Sequence, residues 1–152
     1  MLARFRSMAP IRLMFLILLL GMTTIARADE KVITALEANF QAHGGLRILI
    51  DVRAPMEWKK TGVPVGAKQF SIEGFGGTTT FVAKVTKLVG GNKNMPISLI
   101  CARGTRSSRA AHILSEAGFT NVKNVREGFL GNRKDGPGWL KHKLPIRPCR
   151  NC

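Results

Sequence analysis

The run Ile97-Ser98-Leu99-Ile100-Cys101-Ala102-Arg103-Gly104-Thr105-Arg106-Ser107-Ser108 changes character at one residue. Its branched, apolar first part reads as a buried strand. Cys101 ends that strand, a short polar loop with a glycine and two arginines follows, and a helix begins at about Ser107. A single thiol is thereby set at the carboxyl end of an inner strand, facing the amino end of a helix. Ligands of open α/β sheets settle in that kind of crevice. The unpaired N–H groups of a helix start favour negative charge, and a thiolate is such a charge.

Outward from this run, strands and helices alternate. Val32-Ile33 reads as a short strand. A helix follows from Thr34, with Glu37 completing a capping box, Leu36 and Phe40 at i, i+4 on one face, and Gly44-Gly45 as the stop. Leu46 to Val52 is apolar enough for a parallel strand covered on both faces. Pro55 opens a short helix that carries Glu57 and Trp58 and closes at Gly62. Ala67 to Phe70 is a further strand, and residues 71–80 read as a Gly/Thr-rich loop. Phe81, Val82, Val85, Leu88 and Val89 trace a helical stripe with Lys84 and Lys87 opposite. After the helix at 107–117 and its glycine stop at Gly118, Asn121 to Val125 makes the last strand. Trp139 and Leu144 are expected to pin a glycine-rich tail to the body. The alternation predicts one α/β domain with a mostly parallel sheet.

The amino terminus reads differently. Arg4, Arg6 and Arg12 precede the apolar run Leu13 to Leu20, and Ala26-Arg27-Ala28 offers small residues ahead of Asp29. This is the pattern of a secretory signal cleaved after Ala28. The apolar stretch Leu13 to Ile25 is shorter than the roughly 20 residues of a membrane span. The expected organisation is a signal peptide at 1–28, a domain at 29–146 and a tail at 147–152. The expected location is periplasmic or secreted, without stable membrane insertion after cleavage. Cleavage removes four arginines and no acids, and leaves a net charge of +11 from 20 basic and 9 acidic residues. Such a balance attracts anions. The basic residues are dispersed without interleaved aromatics, so small anionic substrates are expected, and not nucleic acid.

Three cysteines in an oxidising compartment suggest one local pair and one working thiol. Cys149 and Cys152 form Cys-Arg-Asn-Cys at the end of a tail expected to be mobile. They lack the strand–helix setting of a redox motif and the following histidine of a haem site, and one such pair cannot complete a four-ligand zinc site. A local disulfide, a resolving thiol for Cys101 and an inert pair all stay open. His43, His112 and His142 are not clustered, so neither a metal nor another cofactor is expected.

Three motifs resemble those of the rhodanese-like domain, the single-domain sulfurtransferase family. They are Asp51-Val52-Arg53 with Glu57, Trp58 and Gly62 to Gly66-Ala67; the loop Cys101 to Ser107; and Ala117-Gly118-Phe119-Thr120-Asn121-Val122 followed by Glu127-Gly128-Phe129 and Gly131. They span about residues 30–145 in the family's order. The resemblance implies a central five-stranded parallel sheet flanked by helices, and a cysteine that cycles between thiol and persulfide. It also implies that a six-residue loop, Cys101 to Arg106, goes with sulfur transfer, where the related phosphatases use seven residues. The chain departs from the family at Gly62-Val63-Pro64, where Gly-His-Ile is common, and at Glu127-Gly128, where Gly-Gly is common.

From the residues, Cys101 is the expected nucleophile. The backbone of Ala102, Arg103, Gly104, Thr105 and Arg106 would form an anion-binding nest around it. Arg103 is expected at the mouth, and Arg106 either on the substrate or on an acidic residue. Asp51 and Arg53 are read as structural support, and Ser107 or Ser108 as the helix cap. A small anionic, thiosulfate-like donor would load Cys101, and cyanide or a thiol, free or on a protein, would take the sulfur. A non-catalytic persulfide carrier, and a thiol–disulfide oxidoreductase using Cys101 with Cys149 or Cys152, are the competing expectations.

Overall fold

The computed structural model describes residues 31–150 and 152; the expected leader at 1–28 lies outside the described residues. In chain order the elements are β1 (Val32–Ile33), α1 (Ala35–His43), β2 (Ile48–Asp51), α2 (Pro55–Thr61), β3 (Val63–Pro64), β4 (Lys68–Gln69), α3 (Gly77–Leu88), β5 (Ile97–Ile100), α4 (Thr105–Glu116), β6 (Val122–Val125) and β7 (Ile146–Arg147). Five strands form a parallel sheet in the order β1-β6-β5-β2-β4, as expected. The apolar run before Cys101 is the central strand, all four residues buried. Its register sets Asp51 beside Ile100, so the first motif and the cysteine share one edge of the sheet.

Alternation of side chains sends the two faces into two cores. Ile50, Val52 and Leu99 pack with Phe81, Val85 and Leu114 of α3 and α4, and Cys101 belongs to this cluster. Leu49 and Ile100 pack with Ala35 and Ala38 of α1, and with Phe129 and Trp139 from the tail. Trp139 is fully buried, and its indole N–H donates to the Pro145 carbonyl at 3.0 Å. Leu144 packs against the same cluster, so both expected tail anchors hold.

Four expectations are corrected. Helix α1 buries Ala35 and Ala38, while Leu36 and Phe40 are 51% and 73% exposed. Small residues let the helix approach the sheet closely, and the larger pair faces outward. Helix α3 starts at Gly77, inside the segment read as loop, because Gly76 and Gly77 take positive φ and release the threonines into the first turn. Helix α4 starts at Thr105, with Gly104 in the left-handed region (φ 88°) as its cap, so neither Ser107 nor Ser108 has that role. The tail is docked: β7 pairs antiparallel with β3, Val63 against Arg147 and Pro64 against Ile146, across the boundary expected at residue 146. The Gly62-Val63-Pro64 variation thus lies where the tail adds a strand. Gly62 leaves no room for a side chain, since a Cβ would lie 2.8 Å from the Arg147 carbonyl oxygen.

Candidate active site

Cys101 follows the last residue of β5 and is almost wholly buried, at 1% exposure. Its Sγ accepts two hydrogen bonds, one from the Gly104 N–H at 3.2 Å and one from the Ser107 hydroxyl at 3.2 Å. Both donors stand at the start of α4, where the N–H groups ahead of Ser108 have no intrahelical carbonyl to bond. Amide and hydroxyl both direct a donor at the sulfur from the same end of the helix. The expected bowl of several amides is reduced to one main-chain donor and one side-chain donor on a buried sulfur. Ser107 Oγ also lies 3.1 Å from the Gly104 carbonyl oxygen. Its hydroxyl has one proton and two acceptors within reach.

The loop is held from both sides. Residues 128–130 run beside it, with the Phe129 N–H donating to the Cys101 carbonyl at 2.8 Å and the Leu130 N–H to the Ala102 carbonyl at 2.9 Å. This approach needs Gly128, where a Cβ would come within 2.8 Å of the Ala102 carbonyl. The neighbouring departure, Glu127, is buried and its carboxylate accepts the N–H of Ala35 at 3.0 Å, so it anchors the start of α1. On the other side, Arg106 makes a bidentate pair with Glu57, both contacts at 2.7 Å, and reaches Glu73 at 3.0 Å. Of its two expected roles, Arg106 fills the structural one: it ties the loop to α2 and to the segment before α3. The Arg106 guanidinium holds the Glu57 carboxyl below its usual range, and the carboxylate pair raises the guanidinium in turn. Glu57 also accepts the Ala54 N–H at 2.9 Å, at the start of α2.

Asp51 and Arg53 form the expected structural pair. Both are buried; the guanidinium bonds both Asp51 oxygens at 2.7–3.0 Å, the Thr61 hydroxyl at 2.8 Å and the Gly62 carbonyl at 2.7 Å. It stacks over Phe129 at 3.8 Å from the ring centroid. A buried ion pair is tolerable when every donor finds a partner, and this one ties β2 to the end of α2.

Ala102 is half-buried, and Arg103 and Thr105 are exposed. Arg103 lines a groove beside the loop. Cys149 and Cys152 are joined as a disulfide, and the Gln69 amide donates to both sulfurs at 2.9 Å. Gln69 alternates in step with Ala67 of the second cluster, so the disulfide lies on the face of the sheet opposite to Cys101. Of the readings left open for this pair, the local disulfide is the one present.

Several residues that position the site carry no sequence signal of their own. Asn132 donates from one amide to the Arg103 carbonyl at 3.2 Å and the Arg126 carbonyl at 2.9 Å. Glu73 sits in a glycine-rich loop. Only Glu57 was within reach, through its place in the first motif.

The site is thus a thiol at the tip of the central strand, held by a six-residue loop and a helix start. A family model described as the Rhodanese-like domain matches residues 33–134, and the chain belongs to that family. An uncharacterized protein of Rickettsia prowazekii is 29% identical over 99 residues, 64% of this chain and 80% of its own. Among solved structures, the crystal structure of Rv0390 from M. tuberculosis is 29% identical with a TM-score of 0.58, covering 77% of this chain and 96% of that one. The Alr3790 protein from Anabaena superposes with a TM-score of 0.62 at 21% identity, covering 78% and 83%, a likeness of fold.

Proposed function

We propose that the protein is a thiosulfate-type sulfurtransferase that carries sulfur as a persulfide on Cys101. The observation that supports this most is the pair of hydrogen bonds from Gly104 and Ser107 to one buried sulfur. The Cys101 thiolate attacks the outer sulfur of thiosulfate; the new S–S bond forms as the donor's S–S bond breaks, and sulfite leaves with the electron pair. The added sulfur stands about 2 Å beyond Sγ, and it becomes the reactive atom. An acceptor, cyanide or a thiol, then attacks that outer sulfur and Cys101 leaves as thiolate.

The burial of Cys101 favours a small donor, and the excess of basic residues favours an anionic one. The leader pattern together with the Cys149–Cys152 disulfide supports an extracytoplasmic, oxidising location. The pairing of those two cysteines away from Cys101 speaks against the oxidoreductase reading. The test is the intact mass after thiosulfate treatment. A gain of one sulfur, about 32 Da, that disappears in Cys101→Ser is expected; an unchanged mass overturns the proposal. Turnover with cyanide then separates an enzyme from a carrier.

A further inference from the structure

The Cys149–Cys152 disulfide takes no part in the site at Cys101, yet polar groups are built around its sulfurs. Gln69 stands on β4, an edge strand of the parallel sheet. Its side-chain amide donates to both sulfurs, each at 2.9 Å. The oxygen of the same amide accepts from the Arg147 guanidinium at 2.8 Å, which fixes the orientation of the group. A cation on that oxygen polarises the amide and strengthens its N–H groups as donors. Arg147 and Arg150 enter no ion pair among the described residues. Both cysteines are half-buried, so another molecule can reach them.

A neutral sulfur is a weak acceptor, whereas a thiolate gains from each N–H and cation beside it. The Gln69 donors thus favour the broken bond over the intact one, and a thiolate so stabilised leaves faster. The crosslink also closes a short loop, its cysteines three positions apart, and short loops gain the least chain-entropy protection. We propose that Cys149–Cys152 is a second reaction centre, independent of Cys101, that passes its disulfide to a partner dithiol. A monothiol would stop at a mixed disulfide, which the freed cysteine reverses. A second thiol on the same partner completes the transfer at high effective concentration. In the first step a partner thiolate attacks one sulfur. The mixed S–S bond forms, the Cys149–Cys152 bond breaks, and the electron pair goes to the departing sulfur beside the Gln69 amide. The partner's other thiolate then attacks the partner's own sulfur in the mixed disulfide, and the second cysteine leaves as thiolate. The partner departs as a disulfide. Two electrons and the partner's two thiol protons end on the cysteine pair, so the dithiol is the only reductant.

Dithiothreitol and a two-cysteine peptide are the probes, one a small dithiol and one carried on a chain; the faster of the two names the source. Samples are quenched with N-ethylmaleimide at intervals, and the masses of the peptides carrying Cys149 and Cys152 give the rate of reduction. A disulfide that only braces the fold is reduced more slowly in the native chain than in the unfolded one. Here the native chain should react about 10-fold faster than the same chain unfolded in urea. Gln69→Leu removes the donors and should abolish that advantage. Arg147→Met, at an exposed position that leaves Gln69 in place, should slow the native reaction about 3-fold, and it keeps the test valid if Gln69→Leu disturbs the sheet edge. A native rate no faster than the unfolded one, or a parental rate in Arg147→Met, would overturn the proposal. Thiosulfate loading of Cys101 should be unchanged in both variants, so its failure in the parent would count against the sulfurtransferase reading alone.

Discussion

At the scale of single residues, the chemistry rests on who touches the Cys101 sulfur. Gly104 does so through its backbone and tolerates no side chain, since a Cβ would run into the Arg126 carbonyl. Ser107 does so through a hydroxyl that a methyl group would remove without disturbing the helix. A hydrogen bond to a charged group contributes about 1.5–3 kcal/mol. Ser107→Ala should therefore slow thiosulfate loading of Cys101 about 10- to 100-fold at neutral pH, read as the rate of mass gain. An unchanged rate would leave Ser107 only its contact with the Gly104 carbonyl. This role was not legible from the sequence. A serine at a helix start reads as a cap, and the one-turn displacement to an inner position depends on Gly104 taking the left-handed conformation. Cys101 itself was legible, because a run of buried residues breaking off at a thiol and a glycine has few other readings.

At the scale of elements, Arg106 joins three of them: the catalytic loop, α2 through Glu57, and the segment ahead of α3 through Glu73. Because Arg106 depresses the Glu57 carboxyl, this joint is at full strength above its usual value of 4.5 and weakens as the pH falls through the lowered one. Stability rises with pH wherever the unfolded chain binds more protons. Glu57→Gln should thus be less stable than the parent at about pH 7, with the gap narrowing toward about pH 3, measured as urea midpoints. A gap that stays constant with pH would show that the carboxylate charge is not what matters. The sequence had placed Arg106 between two roles, and nothing local could choose, because its partners come from distant loops. The same limit explains α1 and α3. Leu36 and Phe40 satisfy the helical spacing as well as Ala35 and Ala38 do, and only the distance to the sheet decides which pair goes in. Three consecutive threonines after glycines look like loop until Phe81 and Val85 draw the turn before them into the helix.

At the scale of the whole molecule, a parallel sheet with two separate cores is closed by the chain's last part. Its parallel sense followed from the alternation of apolar and amphipathic runs, and its five strands from the family resemblance. The β3–β7 pairing did not, since two residues at each end of a long separation carry no periodicity. Trp139 is the largest side chain buried from that last part. Trp139→Ala should cost about 3–5 kcal/mol, a large share of a domain stability of about 5–15 kcal/mol, seen as a lowered urea midpoint with an unchanged slope. A loss under about 1 kcal/mol would mean the tail is dispensable to the body.

The Asn132 amide has a consequence at this same scale. Its nitrogen spans the Arg103 and Arg126 carbonyls, and its oxygen accepts the Lys134 and Asp135 N–H groups at 3.0 and 2.8 Å. One side chain thus welds the loop after Cys101 to a turn some thirty positions downstream. Lengthening or shortening that turn is consequently not a neutral edit at the periphery: the displacement would be handed through a single planar group to the loop whose Gly104 N–H holds the reactive atom.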